Sequence, residues 1–206
     1  MRLRIGELQQ PSGPEPDPAL WVRIESPSSF ASHAAAWALG LAALSAALVL
    51  VIGVSLARIP TQGTDASAES ASWGVVVAVV VLSIPAHEII HAIFYPGGLF
   101  SPAITFLIWP KRLRFGVYYE GPVSRRRWLL ARLAPFIILA VVPAALLAFA
   151  SDSQDPSLNA GLSLLLLVNS LGSGGDLLSA AWVNLKLRRS PTVGFFSGRA
   201  YTKVPT

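Results

Sequence analysis

Four apolar stretches dominate this sequence: Ala34–Ala57, Trp73–Tyr95, Trp128–Ala150 and Leu158–Leu187. Crossing the hydrocarbon core takes roughly 20 helical residues. Their lengths therefore predict an all-α polytopic membrane protein with four transmembrane helices. The fourth stretch exceeds what the core requires, which predicts tilt or an extension into water. Of 206 residues, 53% are hydrophobic and 13% charged, against about 25% charged in a soluble domain. That balance excludes a water-soluble globule.

The flanks divide the chain into a flexible tail over 1–32, a membrane domain over 33–190 and a second tail over 191–206. Pro11–Pro18, with Ser12, Gly13, Glu15 and Asp17, reads as flexible. No apolar run precedes Ala34, so no cleavable signal peptide is expected and the first span reads as a retained anchor. Orientation follows from the basic residues. Lys111, Arg112, Arg114, Arg125, Arg126 and Arg127 lie between the second and third stretches, and Arg188, Arg189, Arg199 and Lys203 follow the fourth. The remaining two loops carry only Arg58 against Asp65, Glu69, Asp152 and Asp155. Basic loops stay cytoplasmic, so both termini are expected there. The net charge of +5 is then a topology signal, and no nucleic-acid partner is expected. The bias to Arg over Lys and to Ala suggests a prokaryotic plasma membrane.

Between the second and third stretches, Ile104–Ile108 and Phe115–Tyr119 are rich in β-branched and aromatic residues, with Trp109-Pro110-Lys111-Arg112 between them. This pattern predicts a short β-hairpin at the cytoplasmic interface.

Two acidic residues, Glu88 and Asp176, fall inside the apolar stretches; the other nine lie in tails or loops. An acid at membrane depth costs about 2.5–3.5 kcal/mol even on the mild insertion scale, and so calls for a partner or a function. Glu88 belongs to His87-Glu88-Ile89-Ile90-His91. Histidines four apart share one helix face and can take adjacent corners of a tetrahedral zinc ion. The glutamate between them then reaches the activated water as general base. This is the HExxH pattern of zinc metalloproteases. The chain has no cysteine, so a third ligand must come from histidine or a carboxylate. His33 opens the first span, far in depth from His87, and reads as interfacial. Asp176 lies at a depth comparable to the two histidines, by 1.5 Å of rise per residue, and is the better candidate.

Gly172, Gly174 and Gly175, with Ser170 and Ser173, leave one side of the fourth span nearly free of bulk and permit close helix approach. Asn169, seven residues before Asp176, shares its face and reads either as a donor to substrate or oxyanion or as a structural amide. Pro85, Pro135 and Pro143 can kink their spans and free backbone carbonyls.

This arrangement of HExxH, basic loop, third span and late aspartate resembles the site-2 protease group of intramembrane zinc metalloproteases. It is most similar to the zincin peptidase family of small membrane proteins, over roughly Trp73 to Leu187. The resemblance implies that His87, His91 and Asp176 hold zinc and that Glu88 is the catalytic acid/base. Asn169 corresponds by position to the family's upstream asparagine. Ser173-Gly174-Gly175-Asp176 replaces the Leu-Asp-Gly form of the larger group, and no PDZ-like domain is present. The expected activity is hydrolysis of peptide bonds in membrane-embedded or membrane-proximal substrates, with the lipid bilayer as surroundings. The competing readings are a non-catalytic metal-binding or transport protein and a structural protein with a vestigial motif. Oligomeric state is left open.

Overall fold

The computed structural model describes residues 1–5, 16–23, 29–57, 73–110, 114–149, 156–186, 192–196 and 199–203. Two short strands come first, β1 (Arg2–Ile5) and β2 (Trp21–Arg23), followed by α1 (Ser29–Ala57) and α2 (Trp73–Phe94). Valine is a mediocre helix former in water, yet α2 is helical through its Val-rich start. A helix pairs each backbone N–H and C=O within its own segment, which suits a run this apolar. Pro96 and then Gly97, with φ 79°, end α2 because neither suits another helical turn.

The chain continues through a 3-10 turn at Gly98–Phe100 into β3 (Ile104–Trp109), β4 (Arg114–Tyr119) and β5 (Gly121–Ser124). β3 and β4 pair antiparallel from Ile104 opposite Tyr119 to Trp109 opposite Arg114. Gly121, with φ 132°, turns the chain from β4 to β5 in a conformation closed to other residues. The Ser124 hydroxyl accepts the Arg127 N–H and starts α3 (Arg125–Phe136). A π-helical turn (Ile137–Val141) joins α3 to α4 (Val142–Phe149). It sits between Pro135 and Pro143, whose missing N–H groups disturb the regular ladder. α5 (Pro156–Gly172), α6 (Gly174–Lys186), β6 (Thr192–Phe196) and β7 (Arg199–Lys203) complete the order.

Two sheets collect the strands. One has the order β1-β3-β4 and the other β2-β7-β6-β5. The end of α2 and the starts of α3 and β6 meet there in one core containing Tyr95, Ile104, Phe106, Trp128, Val183 and Val193. A second apolar cluster, Ala140, Ala144, Leu147 and Leu166, ties α4 to α5.

The architecture corrects the expectation of a four-span, all-α chain with a β-hairpin as its one non-helical piece. Seven strands are described, and the stretches read as tails supply four of them: β1 and β2 before α1, β6 and β7 after α6. β1 pairs in parallel with β3, a hundred residues away, so no local pattern announces it. Two helical stretches are long and apolar enough to cross a membrane among the described residues, Val77–Phe94 and Arg125–Phe149. A third is reached only by joining α5 to α6, which meet at a 49° bend. The fourth apolar run is thus not one straight helix: Gly172-Ser173-Gly174 breaks it. In α1 the described apolar part is the shorter Ser32–Leu48. Most of Pro11–Pro18 and the Lys111–Arg112 turn lie outside the described residues, as do Arg58, Asp65, Glu69, Asp152 and Asp155 of the connecting loops.

Candidate metal centre

Histidines 87 and 91 stand one turn apart on α2, with ring centroids 4.9 Å apart and planes at 81°. The bend between α5 and α6 brings Asp176 to them from the first turn of α6. Its Oδ2 lies 3.0 Å from His87 Nε2 and 3.1 Å from His91 Nε2. Asp176 and His91 are both buried. The glycines place this turn by allowing α1 to approach: a Cβ on Gly174 would lie 2.0 Å from the Ala36 carbonyl oxygen, and one on Gly40 would lie 2.9 Å from that of Leu171. Close approach is therefore made to α1, whereas Gly172 and Gly175 face open space.

The other nitrogen of each ring reveals which tautomer is held. His91 Nδ1 is 2.7 Å from the Ala131 carbonyl oxygen. A carbonyl only accepts, so Nδ1 carries a proton and donates outward, while Nε2 faces Asp176 and is the nitrogen left to bind a metal. That carbonyl lies four residues before Pro135, which has no N–H to donate back to it. The proline of α3 thus leaves an acceptor for the histidine of α2. His87 Nδ1 is 3.3 Å from Asn169 Oδ1, and the Asn169 amide donates in turn to the Leu165 carbonyl at 3.1 Å. Asn169 is oriented as acceptor, so His87 Nδ1 is also the donor, and Nε2 is directed at Asp176.

Both Nε2 atoms and a carboxylate oxygen consequently converge on one point. Without a metal the imidazoles donate to the carboxylate; a bound cation would replace those protons. Bond lengths of about 2.0–2.1 Å around tetrahedral zinc separate neighbouring ligand atoms by about 3.3 Å, close to the spacing seen here. Both outer nitrogens are already paired in the manner of metal-bound histidines. The residues fit zinc.

Glu88 lies beside them. Ligand atoms of His87, Glu88 and His91 are all within 4.8 Å of one another, so these three residues can hold a metal ion. The Glu88 Oε2 accepts the backbone N–H of Val117 on β4 at 2.9 Å. A cavity of about 150 Å³ opens from Glu88 and His87 between α2 and α5, lined also by Ser83, Ile84, Val168, Asn169 and Gly172. The far end of α2 is secured by Arg127, whose guanidinium donates to the carbonyls of Phe94 and Tyr95 at 3.0 and 3.1 Å. His33 is exposed on α1 and belongs to no metal-type cluster among the described residues.

One participant is not among the residues expected from the sequence. Arg132 of α3 donates from Nη1 to Asp176 Oδ1 at 2.8 Å. The sequence does carry a signal for it: Arg132 is the one basic residue within the third apolar stretch, as Asp176 is the one acid in the fourth. A half-buried cation beside a buried anion in apolar surroundings pairs with it.

A helix that offers paired imidazoles to a metal and a glutamate between them defines a zincin-type metallopeptidase. The sequence comparison extends this from class to family: the profile described as "Putative zincin peptidase" matches residues 80–192, more than half the chain. The protein belongs to that family, whose description points to a zinc metallopeptidase. No curated protein and no solved structure matches it.

The dependence of His91 on Pro135 is testable. Replacing Pro135 by Ala adds an N–H that competes for the Ala131 carbonyl. Zinc affinity, measured by chelator competition, is expected to fall about tenfold, the low end of outer-shell effects. Unchanged affinity would show that the carbonyl does not orient the ring.

Proposed function

We propose that the protein is an intramembrane zinc metallopeptidase of the site-2 protease type, cutting membrane-embedded or membrane-proximal proteins. The observation that carries this reading is the convergence of His87 Nε2, His91 Nε2 and Asp176 Oδ2 within 3.1 Å contacts. These three residues are the metal ligands. Asp176 takes the third place rather than Glu88, because its Oδ2 touches both imidazoles while Glu88 is tied to Val117.

Zinc, when bound, supplies Lewis acidity that polarises the scissile carbonyl and lowers the pKa of a water molecule. Glu88 takes one proton from that water as its oxygen bonds to the carbonyl carbon. It returns the proton to the amide nitrogen as the C–N bond breaks, so that one peptide and one water give a carboxylic acid and an amine. Asn169 holds His87 through Nδ1; a direct contact to substrate is a second role consistent with its place on the cavity wall.

β4 is an edge strand, with β3 on one side and Glu88 beside the other. An unwound substrate segment laid along that edge passes the general base, and strand addition supplies main-chain hydrogen bonds. Membrane residence is supported by the apolar stretches and by exposed Val77, Val81, Leu82 and Ile84 on α2, which suit contact with lipid. β1 and β7, near the two ends of the chain, lie in the same two sheets as the basic α2–α3 connection. The positive-inside rule puts that layer in the cytoplasm.

Comparative proteomics of membranes from cells carrying wild type or Glu88→Gln tests the reading. A membrane protein should accumulate uncut in the variant while its fragments disappear. Identical fragment patterns in both membranes would contradict it.

A further inference from the structure

A carboxylate offers a metal two oxygens, and in this site they are treated differently. Asp176 Oδ2 faces both imidazoles, whereas Oδ1 accepts a charge-assisted hydrogen bond from Arg132 Nη1 at 2.8 Å. The guanidinium is itself held in place. Its Cζ lies 5.5 Å from the centre of the Trp128 ring, and Trp128, 3% exposed, stacks on Phe195 of β6 with centroids 5.8 Å apart. Arg132 is therefore held against its own helix α3, whose start packs on β6, and it reaches Asp176 from a different element than α6.

We propose that Arg132 is a positioning residue that keeps Asp176 a one-oxygen ligand and so preserves the open coordination place that hydrolysis requires. The inference rests on the zinc reading above. Held by two imidazoles and one carboxylate oxygen, zinc would have three protein ligands and a fourth position for water, the arrangement of catalytic rather than structural sites. Without Arg132, Oδ1 would be a bare anionic oxygen in an apolar surrounding, next to a divalent cation. It would turn to the metal as a further ligand, raising the coordination number from four to five and crowding the place that water and substrate need. A guanidinium suits the restraint because it stays charged and its donor geometry matches a carboxylate. A role in folding alone would be different: Arg132 would then only neutralise a buried acid, and its removal would cost fold and metal together.

The test uses cobalt(II) as a spectroscopic replacement for zinc in the full-length protein in lipid nanodiscs. Wild type, Arg132→Gln and Arg132→Lys are compared by visible spectrum, by cobalt affinity from chelator competition and by peptide cleavage. Wild type is expected to show the intense bands of a four-coordinate ion. Arg132→Gln should bind cobalt at least as tightly, with the weaker bands of a five-coordinate ion, and should lose activity by about tenfold or more, as outer-shell substitutions do. Arg132→Lys, which keeps the charge, should restore part of the wild-type spectrum. An unchanged spectrum and affinity in Arg132→Gln would overturn the proposal, as would loss of cobalt in both variants. The outcome is separable from that for peptidase activity. A wild type that takes up cobalt but cleaves nothing removes the peptidase reading and leaves this one standing. An active wild type whose spectrum Arg132→Gln does not alter does the reverse.

Discussion

Replacing Glu88 by Gln is expected to lower peptide cleavage by about 10²–10⁴-fold, the range assigned to a positioned general acid–base group, while zinc stays bound. Gln is nearly isosteric and its amide oxygen can still accept the Val117 N–H that Glu88 accepts at 2.9 Å. The contact with β4 and the fold are therefore retained. What is lost is a basic oxygen able to take a proton from water. His87, His91 and Asp176 contact one another without passing through Glu88, so metal content should be unchanged. Activity measured against zinc per chain separates the two effects. Equal activity in the variant would remove Glu88 from the chemistry.

Replacing Asp176 by Ala should have the larger effect on the metal. It deletes the oxygen that lies 3.0 and 3.1 Å from the two Nε2 atoms, leaving zinc two imidazoles. It also leaves Arg132 with an unpaired guanidinium where Asp176 Oδ1 had been 2.8 Å away. Arg132 is 28% exposed, so losing its partner costs less than the roughly 3–5 kcal/mol of a fully buried pair; the variant should still be less stable as well as metal-poor. Asp176→Asn distinguishes these losses, because its amide oxygen still accepts from Arg132 while its ligand strength drops. The Asn form should keep most of the stability and still lose zinc. Zinc retained at wild-type stoichiometry and affinity in both variants would exclude Asp176 from the metal.

The clustering of His87, His91 and Asp176 is largely legible in the amino-acid sequence. His87 and His91 can be paired because helix periodicity alone puts residues four apart on one face. Asp176 stands out because an acid in an apolar run demands a partner, and the same reasoning, applied to cations, pairs it with Arg132. Pro135 reads as a residue that frees a carbonyl, but not as one that frees it for His91, since that contact joins positions 40 residues apart. Strands β1 and β2 leave no local signature, because they are three or four residues long and their partners β3 and β7 lie far along the chain; β6 and β7 pair with each other across a two-residue connection, a local pattern that the reading of this stretch as a tail passes over. Apolar length is the least reliable guide. It counts Leu158–Leu187 as one span, although Gly172-Ser173-Gly174 bends it by 49°, and that bend delivers Asp176 to the histidines.

The most direct measurement of the central claim is the metal dependence of cleavage by the purified protein in lipid. Its substrate is a membrane protein recovered uncut from Glu88→Gln membranes. Stripping zinc with a chelator should abolish cleavage, and one equivalent of zinc per chain should restore it. Cleavage that continues at the full rate in the metal-free protein would contradict the account.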